Sequence, residues 1–214
     1  MERLRRGCPR CRRPIEAPAD GDCPGHGVGP VLWRAGEPAY DAFVEHLAVA
    51  RDFPTYLPWP MAPGWAVSDF AVVVTEPAGV PLATMTCISG TSELDGPVDV
   101  LLVAEEPGVG LGARCAGLAG RDPGHEMGDQ QPVVRVRIGR LTTALWTVST
   151  SDDPGNHELD RTVLAGEAVG RWLWVVLRPA SAVLLMRDDW ILRDVAGGGP
   201  LMVEMPFTGP GPAW

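Results

Sequence analysis

The sequence predicts an α+β protein: an N-terminal zinc knuckle or ribbon module, then a mostly antiparallel β-sheet domain with one or two flanking helices. Two observations carry that expectation. Three of the five Cys fall within the first 23 residues at metal-ligand spacing, and the chain from residue 66 onward is a series of short apolar runs separated by Gly and Pro. The 214 residues include 26 Gly and 22 Pro, about twice average usage, yet 45% are hydrophobic. That is the composition of a turn-rich globular chain rather than a disordered one.

The first element is the pattern C-x2-C-x11-C-x2-H, formed by Cys8, Cys11, Cys23 and His26. Two short pairs, each on a tight turn, aim four soft or borderline ligands at one point, which suits tetrahedral Zn2+. Pro9, Gly25 and Gly27 serve the turns, and Arg10, Arg12 and Arg13 favour thiolates. Four protein ligands close the coordination sphere, so the zinc is expected to be structural and its binding coupled to local folding. A redox C-x-x-C would normally open an apolar helix, and Arg12-Arg13-Pro14 starts none. Disulfides fit poorly with an odd Cys count and no apolar leader after the basic start.

Residues 31–33 read as a short strand, and Pro38 opens a helix that Pro54 ends. Tyr40, Phe43, Val44, Leu47 and Ala48 form its expected apolar stripe, with His46 off the stripe and solvated. The 54–65 segment carries four Pro among Tyr56, Trp59 and Trp65. It reads as a rigid connector packed by aromatics or as a Trp-lined groove. Strands follow at 66–75, 82–88, 98–105, 133–138, 143–149, 162–169, 171–178, 182–187 and 190–195. Their connections are mostly too short for parallel crossovers. The 172–177 run is apolar on both faces, the mark of a central strand, whereas 134–138 alternates Val and Ile with Arg135 and Arg137. The organisation is therefore a zinc-binding module over 1–27, a helix and connector over 28–64, a β-rich domain over 65–205 and a flexible tail over 206–214.

No catalytic residues are assigned. The strand over 98–105 followed by G-x-G-x-x-A at 108–113 imitates a dinucleotide fingerprint. Glu105 and Glu106 stand where pyrophosphate would need positive potential, which favours a tight turn into a short helix. Cys87, on one strand face with Met85, reads as a buried inert thiol, and Cys115 has no His placed beside it. His125-Glu126 with Asp129, and His157-Glu158 with Asp160, read as solvated loop tips rather than a second metal site. Glu105-Glu106 and Asp188-Asp189 are weak acid/base pairs, since neighbouring strand residues face opposite ways. Glu167, inside a strand, would need Arg171 or Arg178 if buried.

The net charge is -9, but it is unevenly spread. Residues 1–13 hold six Arg and one Glu, so +5, leaving -14 for the rest. Nucleic acid is thus eligible only at the 1–13 tip, through Arg3, Arg5, Arg6, Arg10, Arg12 and Arg13. No apolar run approaches a membrane span, and a cytoplasmic location is expected. CPRC with CPGH, YLPWPMAPGW, VAEEPGVGLGARCAGL, TTALW, LAGEAVGRWLWVVLRP and AVLLM together resemble a family of high-GC Gram-positive (actinobacterial) proteins. That family joins an N-terminal zinc-ribbon-like CxxC...CxxH to a domain of unknown function. The resemblance implies no established activity to carry over.

The leading functional expectation is a non-enzymatic zinc-binding adaptor or binding protein with a protein partner. The alternative is a small-molecule binder or enzyme with a pocket around the 105–115 turn, using Arg114, Glu167 and Trp residues. The third is nucleic-acid contact through the basic tip.

Overall fold

The computed structural model describes residues 3–13, 15, 22–124, 127, 131–152, 160–187, 190–197, 204–209 and 211–214. The strands are β1 (Leu4–Gly7), β2 (Asp22–Cys23), β3 (Gly27–Val28), β4 (Val31–Ala35), β5 (Tyr56–Pro58), β6 (Ala66–Val74), β7 (Pro81–Ser92), β8 (Gly96–Glu105), β9 (Val134–Ile138), β10 (Leu141–Ser151), β11 (Arg161–Ala168), β12 (Arg171–Arg178) and β13 (Ile191–Asp194). The α-helices are α1 (Tyr40–Ala50) and α2 (Leu111–Ala116). The protein is β-rich with a few helices, an α+β fold.

One sheet takes eleven strands in the order β1-β4-β6-β7-β8-β12-β11-β10-β9-β13-β5, and β2 pairs with β3 in a separate ribbon. The pairings are antiparallel, as the short connections require, except that β13 runs parallel to β9. Strand β12 lies between β8 and β11, where its two-sided apolar run is buried on both faces. The sheet crosses the boundaries expected at 27/28 and 64/65, because β1 pairs with β4 and β4 pairs with β6.

Period-2 alternation divides the core in two. Val100, Leu102, Leu173, Val175 and Leu164 join α1, β5 and β13 on the first face. Leu101, Val103, Val163, Trp174 and Val176 join α2 and Trp214 on the second. The β5 segment lies across the first face, where Thr86 Oγ1 donates to the Tyr56 carbonyl at 2.6 Å.

Four expectations are corrected. The 182–187 run is part of a 3-10 segment, Ala180–Arg187, rather than a strand. Ala180, Ala182 and Met186 are buried within it, and a short apolar run does not by itself distinguish helix from strand. On α1 the buried face is Ala42, Phe43, His46 and Ala50, whereas Tyr40 and Val44 are exposed. His46 is therefore fully buried, not solvated, because the sheet meets the helix one position away from the expected stripe. Of the 206–214 segment, residues 206–209 and 211–214 are described and packed rather than loose: Thr208 N donates to Val67 O at 2.9 Å, and Trp214 is 2% exposed. Its backbone pairs with the part of β6 that β4 leaves free, since β4 covers only Ala71 to Val74. Finally, Glu167 is exposed on β11 and needs no Arg partner.

Candidate metal centre

The first knuckle follows β1, and the second is the turn of the β2–β3 ribbon. In the first, Cys8 N donates to Arg13 O at 3.3 Å and Arg10 N donates to Cys8 Sγ at 3.4 Å. In the second, His26 N donates to Cys23 O at 3.0 Å, and Gly27 at φ 68° takes the left-handed conformation that glycine tolerates. The two turns bring Cys8, Cys11, Cys23 and His26 together, their ligand atoms all within 4.8 Å of one another.

Within this group the Cys8 Sγ–His26 Nδ1, Cys11 Sγ–Cys23 Sγ and Cys23 Sγ–His26 Nδ1 separations are each 3.5 Å. A tetrahedron with Zn–S and Zn–N bonds of roughly 2.3 and 2.0–2.1 Å would set its vertices roughly 3.5–3.8 Å apart. The four side chains therefore form a group that could hold a metal ion. All five cysteines are free thiols. Burial pushes the Cys8 thiol up to about 11. At Cys23 burial also raises, but the Gly25 N–H, His26 and the other two cysteines outweigh it and pull the thiol down to about 6. One thiolate is thus ready near neutral pH.

The centre is clasped to α2 by two reciprocal links. From the knuckle, Arg10 Nε donates to Val109 O at 3.3 Å and Arg10 Nη2 to Gly108 O at 3.5 Å. From α2, Arg114 Nη1 donates to Cys8 O. The expected turn into a short helix is present: Gly108 and Gly110 have φ 84° and 87°, and α2 follows. Its N-terminus carries a carboxylate, because Glu105 Oε2 accepts from Leu111 N at 2.8 Å and Gly112 N at 3.2 Å. Burial raises Glu105 to about 7 against the lowering effect of those two donors. Gly112 lets the helix meet the sheet, as a Cβ there would lie 2.3 Å from the Trp174 ring.

The chain belongs to DUF6758. This family of unknown function has a model that matches residues 2–213. No curated protein and no solved structure matches the chain. The functional reading of this DUF6758 member therefore comes from its own residues.

The groups of the alternative 105–115 pocket do not converge. Glu105 is buried as the α2 cap, Arg114 lies under Trp214, and Glu167 is exposed. Cavities among the described residues lie elsewhere. Two of about 260 and 470 Å³ share Trp59, Pro60, Met61, Ala62 and Trp65, so the Pro/Trp segment is at once a connector and a groove wall. Met85 and Cys87 share a buried face, and burial pushes both the Cys87 and Cys115 thiols up, Cys115 to about 12. His125, Glu126, Asp129, His157, Glu158, Asp188 and Asp189 lie outside the described residues. Asp160 is described, and its Oδ1 accepts from Ala180 N at 2.9 Å.

In the basic tip, Arg3 pairs with Asp41 at 3.2 Å, Arg6 pairs with Glu76 at 2.6 Å, and Arg10 is engaged in the clasp. Sequence reasoning missed Asp69, which accepts from Arg34 Nε at 2.8 Å and from Trp214 Nε1 at 2.6 Å. The available signal was a carboxylate inside the apolar run AVSDFAVVV, which implies a buried acid with a cationic partner.

Proposed function

We propose that this protein is a non-enzymatic binding or adaptor protein of the cytosol whose Cys8, Cys11, Cys23 and His26 centre is a zinc-ribbon-like site holding a structural Zn2+. The carrying observation is a group of four potential protein ligands whose ligand atoms all lie within 4.8 Å of one another, three of the six separations being 3.5 Å. Such a set leaves no open position for substrate. Five reduced thiols suit a reducing compartment. The clasp defines what the metal does, because an ordered knuckle fixes the Cys8 carbonyl and Arg10, which together hold α2 against the sheet. A structural ion of this kind supports a surface for a protein partner rather than a reaction.

Metal analysis of the purified full chain tests the reading. One zinc per chain is expected, with a cobalt-substituted form showing the absorption of a tetrahedral thiolate site. The Cys8→Ser, Cys11→Ser variant should hold none. A wild-type chain without stoichiometric metal overturns the proposal, as does a site that accepts an exchangeable substrate ligand.

A further inference from the structure

The links from the metal centre continue past α2. The Arg114 guanidinium, which donates to the Cys8 carbonyl, lies 4.5 Å from the Trp214 ring centroid, and Arg34 lies 4.3 Å from it. The indole is thus held between two cations, the geometry in which the face of an aromatic ring attracts positive charge. Its Nε1 donates to Asp69 Oδ2 at 2.6 Å, and Asp69 in turn accepts from Arg34 Nε. Arg114 Nε is buried without a hydrogen-bond partner. Among the described residues, the Cys8 carbonyl is therefore the hydrogen-bonding group that aims this guanidinium.

Trp214 ends a strap laid along β6. Val67 N donates to Pro206 O and Thr208 N to Val67 O, both at 2.9 Å, and Gly211 N donates to Ser68 O at 3.1 Å. The strap lies so close that a Cβ on Gly211 would come within 2.9 Å of Asp69 and Ser68 atoms. The strap is also held by Arg178 Nη1, which donates to Ala213 O at 2.8 Å, and by Phe207 against Phe43 and Phe70, while Trp214 is the large side chain that seats its end.

We propose that metal occupancy at the Cys8, Cys11, Cys23 and His26 centre locks the strap of residues 204–209 and 211–214 in place, through the Cys8 carbonyl, Arg114 and Trp214. The inference rests on the structural-zinc reading and gives that site a regulatory consequence. Metal loss frees the knuckle turn that orients the Cys8 carbonyl. Arg114 then loses its aim, Trp214 loses one of its two cations, and the strap lifts from β6. What it uncovers is a half-edge of β6 at Val67 and Ser68 beside a slot formed by Arg34, Asp69 and Arg114. Binding coupled in this way is reciprocal, so the seated strap must also strengthen metal binding.

Amide hydrogen exchange on the full chain, zinc-loaded and then stripped with a chelator, tests the lock. Thr208 and Gly211 should exchange at least about tenfold faster after stripping, while the β11–β12 ladder keeps its protection. Equal strap exchange in the two states overturns the proposal. So does equal loss across β11 and β12, since the coupling would then be global unfolding. Trp214→Ala gives the second measurement, made on the folded, loaded chain by competition with a zinc chelator. Its zinc dissociation constant should rise about fivefold or more. An unchanged constant overturns the lock while leaving structural zinc intact. A chain that takes up no zinc fails the earlier proposal instead.

Discussion

The two faces of the sheet are covered by different chemistry. On the first, His46 packs against Phe43 and Phe70, which also contact Phe207, with ring centroids 4.9 Å apart for Phe43–Phe70 and 5.5 Å for Phe43–His46. Among the described residues, both His46 ring nitrogens are buried without hydrogen-bond partners. On the second, a guanidinium, an indole and two carboxylates are linked by directed contacts that end at the Cys8 carbonyl, at the sheet margin where the Cys8 and Cys23 side chains pack with the core of the first face. The first cover follows from burial of area alone, and it tolerates a polar atom only by keeping it neutral. The second depends on geometry, and each link is positioned by the next. Local damage should therefore stay local on the first face and travel on the second.

The largest expected effect comes from removing the end of the chain of links. Cys8→Ser, Cys11→Ser should abolish zinc binding and cost about 3–5 kcal/mol, a fall in Tm of roughly 10 °C for a chain of this length. Calorimetry with parallel metal analysis measures both. Faster exchange should spread from the knuckle to α2. If α2 keeps its protection, the two faces do not differ as described.

Phe43→Ala is the matched lesion on the first face. Phe43 is fully buried, so truncation should cost about 3–5 kcal/mol in denaturant unfolding. Zinc content should stay at one per chain. A variant that loses metal in proportion to stability would erase the contrast. Gly112→Ala should do less, about 1–3 kcal/mol, because the Trp174 ring 2.3 Å from the new Cβ must shift. Its signature is confined to the second face and should include weaker zinc retention against a chelator.

How far the sequence shows this difference depends on the residues. The strands of the second half are legible, because β8, β9, β11 and β12 alternate or run apolar between Gly and Pro turns, and the grouping of Cys8, Cys11, Cys23 and His26, which could hold a metal ion, is legible from spacing alone. His46 is hidden because Tyr40 and Val44 complete a plausible stripe, and only the packed sheet selects the face one position back. Trp214 is hidden for the converse reason. Pro and Gly around it look like a loose end, but they permit the close approach at Gly211 that seats the strap. The clasp joins residues 8 and 114, a pairing with no local signature.

The smallest effect at neutral pH, and the sharpest separation of the faces, lies in acid. Burial lowers His46 to about 3 from 6.5. Between those values the unfolded chain binds the extra proton, so His46 makes stability rise with pH from 3 to 6.5. Burial raises Glu105 to about 7 from 4.5. There the folded chain holds the extra proton, so Glu105 makes stability fall as pH rises from 4.5 to 7. The two slopes oppose each other from 4.5 to 6.5, each by up to about 1.4 kcal/mol per pH unit. Replacing one residue at a time separates them. Relative to wild type, His46→Leu should tilt the stability profile downward with rising pH in that window, and Glu105→Gln should tilt it upward. The measurement is urea unfolding of the zinc-loaded chain at half-unit steps from pH 4.5 to 7. Tilts of the same sign in both variants would mean that one of these groups is not held in its buried, perturbed state. Burial alone shifts His46, whereas two backbone donors partly offset burial at Glu105, so the Glu105 tilt should be the shallower of the two.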